Sequence, residues 1–164
     1  MKTRLLTLLI CLFGCLTYAW ADAPVDDGVY YISCATADGY LGLGAYHDVD
    51  PYIYYVTDGA TKTDDAYWQV VNTRSGYTFR NEKTGQWLVF TYDRVDAYYK
   101  YMTLADEAPE DGTECWDLKV NDDGTISIQS TYDTAYYWNL RGGAGLMGTY
   151  AGSSRTWNER FVFH

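Results

Sequence analysis

From Val29 onward the chain alternates apolar and polar positions in short runs that are broken by turn residues. Residues 29–34 alternate as a strand, and Ala37-Asp38-Gly39 supplies a turn with glycine where a positive φ is wanted. Residues 40–43, 52–56 and 67–71 read as three more strands, separated by loops at 48–51 and 57–65. The order then recurs: strands at 77–81, 87–91, 98–104 and 116–120, with an acidic loop at 105–112 before the last. It recurs again at 125–130, 137–140, 145–150 and 160–163. No stretch after residue 21 keeps apolar residues at spacings of three, four and seven, so no helix is predicted there.

The recurrence has a period. Trp68 and Trp116 are 48 residues apart, and Phe161 follows 45 later; Gly28, Gly76 and Gly124 are spaced 48 and 48. A fixed period of this size marks a repeated supersecondary unit. Four short strands cannot bury their own apolar face. Three such units around a pseudo-threefold axis can, by closing a six-stranded barrel from strands one and four and capping one end with the hairpins of strands two and three. The expected fold is all-β, a β-trefoil of three four-stranded repeats of about 45–48 residues, at 28–75, 76–123 and 124–164. Trp68, Trp116 and Phe161, each opening a fourth strand, are the expected core plug.

The first 21 residues stand outside that pattern. Lys2 and Arg4 precede an apolar run over 5–16 that is too short to span a bilayer, and Ala19-Trp20-Ala21 carries small residues where a signal peptidase reads. A signal peptide over 1–21 is expected, cut after Ala21 or, as a second choice, after Ala23. The rival reading is a lipoprotein attached at Cys15, but Phe13 is bulky and Leu16 onward is still apolar. The expected location is secreted, periplasmic or cell envelope, and residues 22–164 form one domain with no membrane insertion.

The formal charge of −10 becomes −12 once Lys2 and Arg4 leave with the leader, which argues against nucleic acid or an anionic membrane as partner. The 18 Tyr and 6 Trp suit pleated, half-buried surfaces, and most of these tyrosines are accounted for by strand packing. Cys34 and Cys115 remain after the leader; they either form one disulfide or stand as two small buried thiols. His47 and His164 have no metal-ligand spacing, and there is no nucleophile elbow or phosphate loop. The acidic pairs Asp48/Asp50, Asp64/Asp65, Glu110/Asp111 and Asp122/Asp123 lie in turns, where Asp is favoured structurally. No cofactor, no metal and no catalysis are expected.

The segment Trp68…Gly76…Phe79…Thr84-Gly85-Gln86-Trp87-Leu88-Val89-Phe90 resembles the course of the ricin-B-type β-trefoil lectins, and the resemblance covers residues 28–164. That family carries Gln-x-Trp at strand four and a sugar-binding Asp on strand two. Here the Gln position holds Ala66, Glu114 and Glu159, and the Asp position holds Gly42, Val89 and Asn139, with one extra residue in the turn of repeat three. Repeats one and two therefore depart from the pattern, and repeat three keeps the most. The resemblance implies a sugar site from Asn139, from Tyr150 (or Thr149) as the stacking aromatic, and from Asn158 and Glu159 at the family's Asn-Gln pair. The plainer reading makes these ordinary loop polars and one surface tyrosine. Gly142-Gly143-Ala144-Gly145 beside them either admits a ligand or forms a plain loop.

Two functions follow from these residues. One is a non-catalytic, carbohydrate-binding module with glycan as partner, its main site in repeat three and the tyrosines of 52–55 and 98–101 as accessory surface. The other is a protein-interaction module, such as a trefoil-type hydrolase inhibitor, that presents the loop 105–112 to another protein. An exposed aromatic ring beside Asn139 and Asn158 favours the first.

Overall fold

A computed structural model describes residues 23–46, 49–56, 62–94, 96–141, 145–151 and 157–164, with backbone alone at 44–46, 49–52, 54–56, 94 and 157. The expected leader with Cys15, His47, Asp48, the stretch 57–61 and Gly142-Gly143-Ala144 lie outside the described residues.

Among the described residues twelve strands run in chain order: β1 (Gly28–Cys34), β2 (Tyr40–Tyr46), β3 (Val49–Val56), β4 (Tyr67–Thr73), β5 (Gly76–Asn81), β6 (Trp87–Arg94), β7 (Tyr99–Ala105), β8 (Trp116–Val120), β9 (Ile126–Ser130), β10 (Tyr136–Arg141), β11 (Leu146–Ala151) and β12 (Phe161–Phe163). Antiparallel pairs β1–β4, β4–β5, β5–β8, β8–β9, β9–β12 and β12–β1 close a ring built from strands one and four of each repeat. Closure leaves this barrel without an open edge. The hairpins β2–β3, β6–β7 and β10–β11 stand against one another through β3–β11 and β7–β11. The chain is a β-trefoil, as the repeat predicts.

The register is threefold. Tyr30, Tyr77 and Ile126 face Trp68, Trp116 and Phe161 within their repeats. Across the repeat boundaries those same three aromatics face Asn81, Ser130 and Cys34. The equivalent first-strand residues are thus 47 and 49 apart. The even spacing of Gly28, Gly76 and Gly124 does not mark equivalent places. Gly76 holds φ +125° in the tight turn between β4 and β5, whereas Gly28 lies in β1 opposite Val70.

Trp68, Trp116 and Phe161 are buried as expected, with Ile32, Phe79, Ile128, Leu88, Met102 and Trp138 around them. Removing each such side chain from water contributes about 1.5–3 kcal/mol. The two indoles also donate to strand-two carbonyls, Trp68 to Leu41 at 3.1 Å and Trp116 to Leu88 at 3.3 Å. These bonds fix the hairpins on the barrel in repeats one and two. Phe161 has no N–H to offer, and Trp138 fills the matching place on β10 with its own indole.

The structure departs from expectation in three places and settles one alternative. Residues 49–51 belong to β3 rather than to a loop. Pro51, which suggested the loop, lies where the β2–β3 register shifts between Gly44 and Tyr46, a bulge being a place where proline removes no ladder bond. Single 3-10 turns occur at Asp64–Ala66 and Trp157–Glu159, directly before β4 and β12, and are too short for any periodicity to reveal. Of the two alternatives left open for the cysteines the structure has the second: Cys34 and Cys115 are buried thiols with no disulfide between them. They sit at different seams: Cys34 opposite Phe161 between repeats one and three, Cys115 with its carbonyl bonded to Thr131 between repeats two and three. Burial and Glu114 push the Cys115 thiol up to about 11. Finally, Tyr99 is buried and not a surface ring, for a reason that belongs to the site below.

Candidate functional site

Strand alternation sets the site. Trp138 and Leu140 point into the core, so Tyr137, Asn139 and Arg141 project from the opposite face of β10. On β11 their partners are Tyr150, Gly148 and Leu146. Asn139 and Tyr150 are therefore diagonal neighbours on one outer face. The 3-10 turn before β12 brings Glu159 beneath Asn139, and the Asn139 Nδ2 donates to Glu159 Oε1 at 3.2 Å. Asn139 is 8% and Glu159 2% exposed; Asn158, next to it, is half-buried. The four residues expected from the sequence thus lie on one hairpin and the turn beside it. Asn139 and Glu159 are bonded, Asn158 adjoins Glu159 in the chain, and Tyr150 flanks Asn139.

Tyr150 is half-buried, its ring centroid 6.4 Å from that of Tyr98, which is 62% exposed. The turn before β7 fixes the backbone that carries Tyr98. Asp96 accepts the N–H groups of Tyr98 and Tyr99, each at 2.9 Å, and pairs with Arg141 at 2.9 Å. Those N–H groups, with Arg141 and Lys100, hold its carboxyl below the usual range. Tyr99 turns inward across Gly148, and its hydroxyl reaches the carbonyls of Asn139 at 2.5 Å and Leu146 at 3.0 Å. Only a residue without Cβ lets a neighbouring ring and strand come so close. Of the accessory surface, Tyr98 is open and Tyr99 is not; the side chains of 52, 54 and 55 lie outside the described residues.

Repeats one and two have no such pair. Gly42 carries no side chain and Val89 is buried. Asp65, at the place of Asn158, is spent on structure: it accepts the Leu43 N–H at 3.3 Å and bonds to the Thr63 hydroxyl. Burial raises its pKa, but Thr63, the Leu43 N–H and Lys83 together hold the carboxyl below the usual range.

Two further groupings carry no motif, because their members are far apart in sequence. Phe90 is covered by Tyr92, Tyr132 and Tyr136, whose centroids lie 5.0, 6.0 and 5.2 Å from its own. The second is a cleft of about 670 Å³ between β1, the turn after it and β12. Along it the His164 imidazole stacks on Tyr31 at 4.4 Å, the Lys62 Nζ lies 3.9 Å from the same ring, and Ser33 Oγ meets His164 Nε2 at 2.9 Å. Burial, then Lys62, lowers the His164 pKa. Two residues apart on one strand, Phe90 and Tyr92 were a visible aromatic pair; their partners from repeat three were not. Among the described residues no group of three His, Cys, Asp or Glu is placed to hold a metal. No helix among them is long and apolar enough to cross a membrane.

No protein-family model matches the sequence, and no curated protein is similar to it in sequence. Solved structures are similar in fold. A salivary protein of the cysteine- and tryptophan-rich family from Culex quiquefasciatus superposes with TM-score 0.70 at 19% identity, over 85% of this chain and 94% of that one. A lectin from Polyporus squamosus, bound to a human-type influenza-binding epitope, gives TM-score 0.68 at 19% identity, over 85% of this chain and 49% of that one. The Macrolepiota procera ricin B-like lectin, in complex with lactose, gives 0.66 at 13% identity, over 85% and 96%. The chain has the ricin-B-type β-trefoil fold.

Proposed function

We propose that the protein binds carbohydrate without catalysis, through the outer face of the third repeat. The observation that carries this reading is the Asn139–Glu159 hydrogen bond beside the partly open ring of Tyr150. A carboxamide held by a carboxylate is fixed in orientation, with its oxygen directed to accept a sugar hydroxyl. An aromatic ring beside it takes the C–H face of a pyranose. Two fold neighbours were solved with glycans, lactose in one and a human-type influenza-binding epitope in the other, which supports the reading. Fold alone does not supply function, so the site residues carry the argument. The charged leader and apolar run of residues 1–21 support export, where a glycan partner is accessible.

The test is a glycan array with residues 22–164 and the variants Asn139→Ala and Tyr150→Ala. A glycan class bound by the parent and lost from both variants supports the third-repeat site. Equal binding by all three moves the site elsewhere. The protein-contact reading rests on the segment 106–111, in which all but Pro109 is exposed, held at its base by Asp111 to Thr113 and by Gln86 to Asp106. A partner whose binding is lost on replacing 106–111 with glycine and serine, in a protein that binds no glycan, would favour it.

A further inference from the structure

The cluster on Phe90 has no structural need to be as open as it is. Phe90 is 3% exposed, yet two of the tyrosines over it keep about half of their surface in water, Tyr92 at 53% and Tyr132 at 47%. Tyr136 completes the ring of contacts, 6.4 Å from Tyr92, and Tyr132 stands 6.1 Å from Tyr92. Tyr92 meets Phe90, Tyr132 and Tyr136 edge to face, while Tyr132 and Tyr136 lie tilted on Phe90, so the rings brace one another. One of them is also tethered. Tyr92 donates its hydroxyl to Asp133 Oδ2 at 2.9 Å, a bond from repeat two to repeat three, while Asp133 Oδ1 accepts the Ala135 N–H at 3.0 Å. Rings fixed in advance lose little further freedom on binding.

Size and polarity identify what such a surface takes. Two half-exposed tyrosines offer on the order of 200 Å² of ring surface. A stable protein contact needs about 800 Å² from each partner. The smaller figure fits one or two sugar rings. Polar side chains adjoin the tyrosines in the chain: Asp133 and Thr134 follow Tyr132 in the β9–β10 turn, and Thr91 precedes Tyr92 on β6, whereas the Thr131 hydroxyl is spent on the Cys115 carbonyl. These suit a ligand covered in hydroxyls. Lys100, the nearby cation, is buried, 5.8 Å from Tyr136, with its ammonium on the Ala97 carbonyl. A fixed carboxylate on a chain of net charge −10 repels acidic sugars.

From this we propose that Tyr92, Tyr132 and Tyr136, with Asp133, form a second glycan-binding platform at the seam of repeats two and three, selective for a neutral pyranose. Its Tyr136 projects from the opposite face of β10 to Asn139, so the platform shares no residue with the third-repeat site and stands or falls independently of it. Ligand stacks on the exposed rings of Tyr92 and Tyr132, and the rim takes its hydroxyls. A glycan that reaches both platforms gains from their linkage without any new contact.

The experiment uses residues 22–164 and saturation-transfer NMR with lactose and maltose as neutral probes and sialyllactose as the acidic one. The background is Asn139→Ala/Tyr150→Ala, which removes the other site. Residual binding of a neutral probe, weakened roughly tenfold by Tyr132→Ala and by Tyr92→Ala, is expected, each exposed ring contributing a stacking contact. Tyr92→Phe, which keeps the ring and loses only its tether, should weaken binding about two- to threefold. Circular dichroism shows that each variant is folded, and Tyr132, with no tether in the structure, serves if Tyr92→Ala is not. Neutral probes that ignore both alanine variants would overturn the proposal. So would absence of all residual binding in the background variant, or preference for sialyllactose. A protein whose capture depends on Tyr92 and Tyr132 while no sugar does would overturn it in favour of a protein contact.

Discussion

Gly148 offers a sharp test of how the hairpins pack. A methyl group there would overlap the Lys100 carbonyl oxygen and Tyr99 Cε1, and would stand 3.0 Å from Tyr99 Cζ. Tyr99 could swing aside, but the Lys100 carbonyl is backbone and belongs to β7, which pairs with β11 at Gly148, Thr149 and Tyr150. Ordinary contact for a Cβ begins near 3.4 Å, so Gly148→Ala must drive the two strands apart by about 1 Å. Overpacking of this kind costs about 1–3 kcal/mol, and loosening one or two of the strand bonds adds about 1 kcal/mol each. The expected loss is about 2–5 kcal/mol. In a domain of this size each kcal/mol lowers Tm by about 4 °C, so the fall is on the order of 8–20 °C. Urea unfolding followed by tryptophan fluorescence measures it directly. The double variant Gly148→Ala/Tyr99→Ala should remain destabilised, because the carbonyl clash persists. A loss below about 1 kcal/mol for Gly148→Ala, or full rescue by Tyr99→Ala, would refute the close backbone approach. Glycan binding at Asn139 should fall together with stability, since Asn139 faces Gly148 across the hairpin.

Other consequences are simpler to check. Thiol titration should find Cys34 and Cys115 unreactive in the native protein at pH 8 and two equivalents in denaturant without reductant, because both are buried and the Cys115 pKa is raised to about 11. An intact mass two daltons below that of the dithiol would show the disulfide instead. Asp65→Asn should cost about 1–2 kcal/mol at pH 7, the carboxylate being bonded to Thr63 and the Leu43 N–H. The Asp65 pKa is depressed in the folded chain, so its contribution is present above the usual 3.8 and is lost as pH falls through the lower folded value. Parent and variant should therefore begin to draw together as pH falls below about 4 and meet only below the folded value; a gap that does not narrow at all down to about pH 2 would mean that the amide fails for steric reasons.

Local chemistry made the strands legible. Alternation, aromatic strand starts and turn glycines are written within six or eight residues, and the twelve strands of the described residues overlap those signals, with β2, β3 and β6 running longer than expected. The barrel followed from repetition, since only closure buries three equivalent faces. What could not be read were relations between distant positions. The even spacing of three glycines suggested a register that strand pairing resets, because Gly28 and Gly76 serve different ends. Pro51 looked like a loop and sits at a bulge. At the candidate site, Asn139 and Glu159 were singled out through resemblance, yet the closure of Tyr99 over Gly148 depends on a strand from another repeat. The tyrosine cluster joins residues some forty positions apart, and nothing within either segment announces the other.

The seam between β1 and β12 also bears on how the protein is made. Ser33 and His164 meet across it although they are 131 residues apart in the chain. No barrel can form until residues 161–163 have been synthesised. At about 5–20 residues per second the first strand waits several seconds for its partner, its edge open to any other strand nearby. The last three strand residues thus act as a latch on the whole molecule, and the same adjacency lets the order of the repeats be rotated. A chain opened at the Gly76 turn and rejoined across the seam keeps every strand pair except the tight β4–β5 link, with that latch moved to the middle of synthesis.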